Sequence, residues 1–212
     1  MGEEPPTSPT DDGSASPADD ARPPVDGSVD GSVDALVSLV ERGAGVDLRD
    51  QTRSDDEQAP IDTERVTLFT RESGDLVDGL ATRLVNADAL VAVLPRVDPT
   101  VVRAVRRAAR PESSSTDVRI VFAGPARARL RGPRGTAIRA ALASRSIDWY
   151  ASGARAPVGF LLADDRPVVG GFDGGRLETV LSSTDDAVCS WVAETCRRYL
   201  GAADSTAATT NE

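Results

Sequence analysis

Histidine and lysine are both absent from this chain of 212 residues. Their absence excludes a Schiff-base or Walker-type lysine, a Ser-His-Asp or Cys-His pair, a histidine metal site, and histidine-based phosphoryl or phosphodiester transfer. Proton transfer at neutral pH is left to Asp, Glu, Tyr or Cys, and the expectation is a protein that is not an enzyme and carries no cofactor or metal. Aromatic residues make up only 4% of the chain. The two cysteines, Cys189 and Cys196, sit seven apart on an expected helix. That is about 10.5 Å along the axis, beyond disulfide reach, so they read as reduced thiols of a cytoplasmic protein. No apolar run approaches the ~18 residues of a membrane span, and the first residues lack the apolar stretch of a secretory leader. A soluble protein with no membrane partner is expected.

What is present is charge, unevenly placed. Every one of the 24 basic residues is arginine, against 34 acidic residues, for a net charge of −10. Arg without Lys, Asp well ahead of Glu, and an apolar set dominated by Ala, Val and Gly resemble the composition of halophilic, salt-in proteins encoded by GC-rich genomes. Net charge bears on solubility and not on fold. Residues 1–60 hold fifteen acids and four Arg, whereas residues 103–145 hold eleven Arg and two acids.

Hydropathy divides the chain in four. Residues 1–32 are rich in Pro, Asp, Ser, Gly and Glu and read as a disordered acidic tail. Residues 33–60 read as a short helix and an acidic linker. Val33, Leu36, Val37 and Val40 fall at helical spacing and Gly43 ends the pattern, giving either a docking segment or a cover for the main domain. Residues 61–203 carry the globular pattern, and 204–212 are expected to be disordered. Strands are expected at 66–69, 89–94, 118–122, 147–151, 158–163 and 168–172. Helices are expected at 72–85, 99–110, 125–130, 134–144, 176–182 and from a Thr184 or Asp185 cap to Leu200. The order implies an α/β fold, a three-layer sandwich with a mixed, partly parallel sheet.

One stretch carries a family resemblance. The run Pro157-Val-Gly-Phe-Leu-Leu-Ala-Asp-Asp-Arg-Pro-Val-Val-Gly-Gly-Phe-Asp-Gly-Gly-Arg176 is followed by Leu181-Ser-Ser-Thr-Asp-Asp, Trp191 and Arg197-Arg-Tyr199. It resembles the C-terminal effector domain of haloarchaeal transcriptional regulators of the TrmB-like and TbsP-like kind, and the related middle domain of methanogenesis regulators. Residues 64–145 fit the same domain more loosely. The resemblance implies a phospholipase-D-like half without its catalytic His-Lys-Asp motif, and a non-enzymatic regulatory or sensory role in transcription that works by binding a ligand or a protein partner. Family members pair the domain with a winged helix-turn-helix. Residues 1–60, with one expected helix and a strong excess of acid, hold no such reader. The implied partners are a protein that carries a DNA-binding domain, or a second copy of this chain.

The residues themselves leave a second function class open, a nucleic-acid-binding protein that uses the Arg-rich block 103–139. Within it Arg127, Arg129, Arg131 and Arg134 are the candidate anion or partner site. They lie in a stretch punctuated by Gly and Pro, where guanidinium forks can meet an anion; the plain alternative is that they pair with the protein's own carboxylates. Gly170 to Arg176 could cradle a phosphate, but matches no dinucleotide or Walker spacing and reads better as a tight turn. Asp164-Asp165 reads as hairpin chemistry more readily than as a metal or acid–base pair. Trp149 and Tyr150 point to opposite faces of a strand, so at most one of them reaches a pocket.

Overall fold

A computed structural model describes residues 29–48, 61–62, 65–74, 76–109, 117–145 and 147–205; within these, the side chains of 29–32, 61–62, 134 and 204–205 are outside the description. Most of the expected acidic tail, the linker and the last seven residues lie outside the described residues.

Two strands start the sheet on one edge, β1 (Ile61–Asp62) and β2 (Val66–Thr70). Three strands follow in βα units: β3 (Ala89–Leu94), β4 (Asp117–Ala123) and β5 (Asp148–Ser152). An antiparallel meander comes next, β6 (Gly159–Ala163), β7 (Arg166–Asp173) and β8 (Arg176–Ser183), and β9 (Asp204–Ser205) closes the far edge. The sheet order is β1-β2-β8-β7-β6-β3-β4-β5-β9, with β3, β4 and β5 parallel and every other pairing antiparallel. The fold is thus α/β with a mixed, partly parallel sheet.

Helices cover both faces. On one lie α2 (Leu76–Leu84), α3 (Pro99–Ala108), α4 (Pro125–Arg131) and α5 (Thr136–Ala143), with a 3-10 turn at Pro133–Gly135 between the last two. Their core joins Leu80, Leu84, Val101, Val105, Leu130 and Leu142 to the inward side chains Leu90, Ala92, Ile120 and Phe122. On the other lie α1 (Val29–Ala44) and α6 (Asp186–Gly201), which pack Leu36, Val37, Val40, Val188 and Val192 against Val93, Val121, Val169 and Leu181. Each of β3 and β4 supplies both cores from alternate residues, which is why their sequences are almost continuously apolar. The third layer depends on α1 meeting α6: Gly43 leaves no room for a side chain beside the Trp191 indole, and Trp191 in turn sets its edge against Phe160 at 5.4 Å. Among the described residues no helix is long and apolar enough to cross a membrane.

One expected element is of the wrong type. Residues 176–182, read from the sequence as a helix, are β8. Gly174 and Gly175 both have positive φ, 53° and 89°, in a two-residue loop that pairs Asp173 with Arg176. This is the type I′ geometry that turns one strand back on the next, so the glycines link strand to strand rather than strand to helix. Asp164-Asp165 closes the other hairpin. Asp164 takes φ 52° and its Oδ1 accepts from the N–H groups of Asp88 and Ala89, at 3.1 and 3.0 Å. That carboxylate ties the hairpin to the start of β3.

The first turn of α3 is held by a buried carboxylate. Asp98, 2% exposed, accepts at Oδ1 from the N–H groups of Thr100 (2.6 Å) and Val101 (3.4 Å), and at Oδ2 from that of Leu177 (3.2 Å). Leu177 sits beside a register shift between β7 and β8. Asp98 thus joins the end of the parallel half of the sheet to the antiparallel half.

Candidate anion-binding clefts

The carboxyl ends of parallel strands are where open α/β sheets place ligands, and here that edge holds an open cleft of about 560 Å³ lined by Gly124, Pro125, Arg127, Ala128, Arg131, Gly153 and Arg155. Its walls follow from local sequence. Gly124 ends β4 with φ 50°, and its N–H donates to the carbonyl of Ser152 at 3.2 Å, holding the ends of β4 and β5 together. Pro125 then starts α4, where a missing N–H costs nothing. Arg127 and Arg131 are four residues apart on α4 and so share a face, the one turned to the cleft.

The opposite wall is the loop after β5. The Arg127 guanidinium lies against Gly153, where an added Cβ would stand 2.9 Å from Nη1. Arg155 joins from the same loop, fixed by the Tyr199 hydroxyl, which donates to its carbonyl at 2.7 Å. Burial raises the Tyr199 pKa, with the Arg198 charge opposing, so the hydroxyl keeps its proton at neutral pH. Among the described residues no carboxylate lines the cleft, and Arg131 and Arg155 form no ion pair with any of them.

The four arginines singled out from sequence therefore separate. Residues 125–131 form one regular helix, and Gly132 interrupts only after it. Arg127 and Arg131 reach the cleft; Arg129, two residues out of phase, is exposed away from it; the side chain of Arg134 is outside the description. Arg155 was missed, because nothing near it in the chain is basic. Only the parallel pairing of β4 with β5 brings it beside α4.

There are two further clefts. One, about 460 Å³, lies along the same sheet edge between Pro95-Arg96, Ala156-Pro157 and the β7–β8 turn. The other, about 340 Å³, is formed by Arg103, Arg106, Arg107 and Arg145. Two other arginines of the block are bonded internally. Arg119 pairs with Asp117 through two contacts of 2.6 and 3.2 Å, and Arg139 donates to the carbonyl of Leu130 and to Thr136 Oγ1. Trp149 packs on the core under α3–α5 and Tyr150 on the core under α1 and α6, and neither lines any of these three clefts.

Residues 74–202 match the family of the methanogenesis regulatory protein FilR1, middle domain. The chain thus carries a domain from a family of regulatory proteins. It belongs to the FilR1 middle-domain family. No curated protein matches it. Among solved structures it is similar to TrmBL2, an archaeal chromatin protein, at 14% identity and a TM-score of 0.48, over 84% of this chain and 64% of that one. It thus spans less than two-thirds of the length of TrmBL2. It is also similar to Nuc, a phospholipase D family member from Salmonella typhimurium (13% identity, TM-score 0.52, covering 66% of this chain and 95% of that one). NucT from Helicobacter pylori gives 13% identity and a TM-score of 0.52, covering 66% of this chain and 98% of that one. The last two share the fold.

Proposed function

We propose that the chain is a non-catalytic regulatory domain, and that the cleft at the ends of β4 and β5 binds a small anionic effector. The observation that carries this reading is the gathering of Arg127, Arg131 and Arg155, from two separate segments, around one cleft that no carboxylate among the described residues lines. Guanidinium forks meet phosphates and carboxylates in two parallel hydrogen bonds, and a volume of about 560 Å³ suits a ligand of metabolite size. Membership of a regulatory family supports the role. The lack of any His or Lys supports a site that binds without turning over. Occupancy would be passed to a protein that carries a DNA-binding domain, or to a second copy of this chain, in transcriptional control.

Calorimetry of the full chain with inorganic phosphate and a sugar phosphate tests the proposal. Binding is expected in the wild type. R127Q/R131Q should weaken it at least about tenfold, since hydrogen bonds to charged groups contribute about 1.5–3 kcal/mol each. Equal affinity in wild type and variant would remove the cleft from consideration. Hydrolysis of bis-p-nitrophenyl phosphate by the pure protein, lost on substitution of a single named carboxylate, would overturn the non-catalytic part.

A further inference from the structure

The helices α3, α4 and α5 and the 3-10 turn between the last two hold eight arginines and no acidic residue, in a chain where acids outnumber bases 34 to 24. A solvated helix face in such a protein would be laced with carboxylates at i±4. On α3 it is not. Val101, Ala104, Val105 and Ala108 form the buried side, and Arg103, Arg106 and Arg107 occupy the outer side at i, i+3 and i+4, where like charges oppose each other. None of the three makes an ion pair with a described residue, and the Arg106 Nε is buried without a hydrogen-bond partner. The helix dipole favours Arg106 and Arg107 in the last turn, but not Arg103.

Arg145 completes the group from a different part of the chain. It follows α5, and its Nη1 reaches the carbonyl of Ala109 at 3.5 Å, so that four guanidiniums line one shallow groove of about 340 Å³. This groove lies at the amino ends of β4 and β5, one strand length, or about 20 Å, from the effector cleft. Arg103 and Arg107 are exposed, so the groove does not enclose a small ligand as metabolite pockets do. No aromatic side chain lines it, which leaves nothing on which a base could stack.

We propose that Arg103, Arg106, Arg107 and Arg145 form a docking surface for a nucleic-acid phosphate backbone, read without regard to base sequence. Duplex DNA fits: a run of phosphates passes over the open groove, each met by a guanidinium fork. The surface is separate from the effector cleft and does not depend on it.

Fluorescence anisotropy of the full chain with two labelled 24-bp duplexes of unrelated sequence, across 50–200 mM KCl, is the test. Both duplexes should bind with affinities within about twofold. Four neutralised phosphates give a log–log salt slope of about −3.6, an affinity loss of about 150-fold over that range. R103Q/R107Q removes two exposed charges without touching the core, and should lower the magnitude of the slope by about 2 while the thermal melt stays in place. Binding and slope unchanged in R103Q/R107Q would overturn the proposal, as would equal binding of polyglutamate, which would mark an anion exchanger with no preference for phosphate. Loss of duplex binding in R127Q/R131Q but not in R103Q/R107Q would overturn it too. Phosphate calorimetry on R103Q/R107Q tells the two readings apart: retained heat leaves the effector cleft standing whatever the duplex does.

Discussion

Asp98 offers the sharpest measurement of how the two halves of the sheet are joined. Its carboxylate accepts three backbone N–H groups, two from the first turn of α3 and one from Leu177 on β8, while 2% exposed. Asp98→Ala removes an N-cap, which costs about 0.5–2 kcal/mol. It also leaves the Leu177 N–H buried without a partner, at about 1–3 kcal/mol. The expected loss is then about 2–5 kcal/mol. For a chain of this size each kcal/mol moves the melting temperature by about 2–4 °C, so a fall of about 10 °C is expected. Asp98→Asn separates the two contributions. Its amide oxygen can still cap α3, but the NH2 group then faces the Leu177 N–H, donor to donor, and only the second cost of about 1–3 kcal/mol applies. Thermal melts of the three proteins decide the matter. An Asp98→Ala variant that melts within about 1 °C of the wild type would refute this account of the junction.

Other outcomes follow from the same contacts. Tyr199→Phe deletes the hydroxyl that fixes the Arg155 loop; phosphate affinity measured by calorimetry should fall severalfold, with the melting temperature lowered by no more than a few degrees, because one such bond contributes about 1 kcal/mol. Burial pushes the Cys196 thiol up to about 12, against a lesser opposing effect of the Arg197 charge, and the Cys189 thiol is raised by burial and then by Asp165 and Asp186. The buried Cys196 should not react readily with a disulfide reagent at pH 8 until the protein is unfolded, and the partly exposed Cys189 should react first. The sign for stability is fixed by the same shift. The folded state favours the neutral Cys196 thiol, so its contribution is complete below the ordinary thiol value of 9.0 and is lost as pH rises from there towards about 12, which a series of melts through that range will read.

The parallel half of the fold was legible because its physics is local. Ala89–Leu94 is apolar throughout and bounded by polar residues, and the structure places β3 over those same residues. Asp98-Pro99 is a cap followed by a helix-starting proline, and α3 begins there. The misread element failed for a physical reason. β8 lies inside the sheet, between β2 and β7, so it is buried on both faces and loses the alternation that marks a strand. Leu177, Val180 and Leu181 happen to fall at i, i+3 and i+4, and the irregular register near Phe172 hides the period of two. The signal that outweighed them was Asp173-Gly-Gly-Arg176, whose two central residues need positive φ and so call for a hairpin.

The candidate sites show where such reading stops. A helix face can be seen in one stretch of sequence: Arg127 with Arg131, or Arg103 with Arg106 and Arg107. Each cleft, however, is closed by one arginine that sequence distance hides. Arg155 reaches α4 through the pairing of β4 with β5, and Arg145 reaches α3 because α5 delivers the chain to the amino end of β5. In both cases the fold brings a lone charge up to a pair or triplet of like charges that share one helix face. Arg103, Arg107, Arg131 and Arg155 are exposed and could point to solvent at little cost, whereas the Nε atoms of Arg106 and Arg127 are buried. An anion seated between such charges would relieve their repulsion, and that is the ground on which binding is proposed at the two clefts rather than along the Arg-rich stretch as a whole.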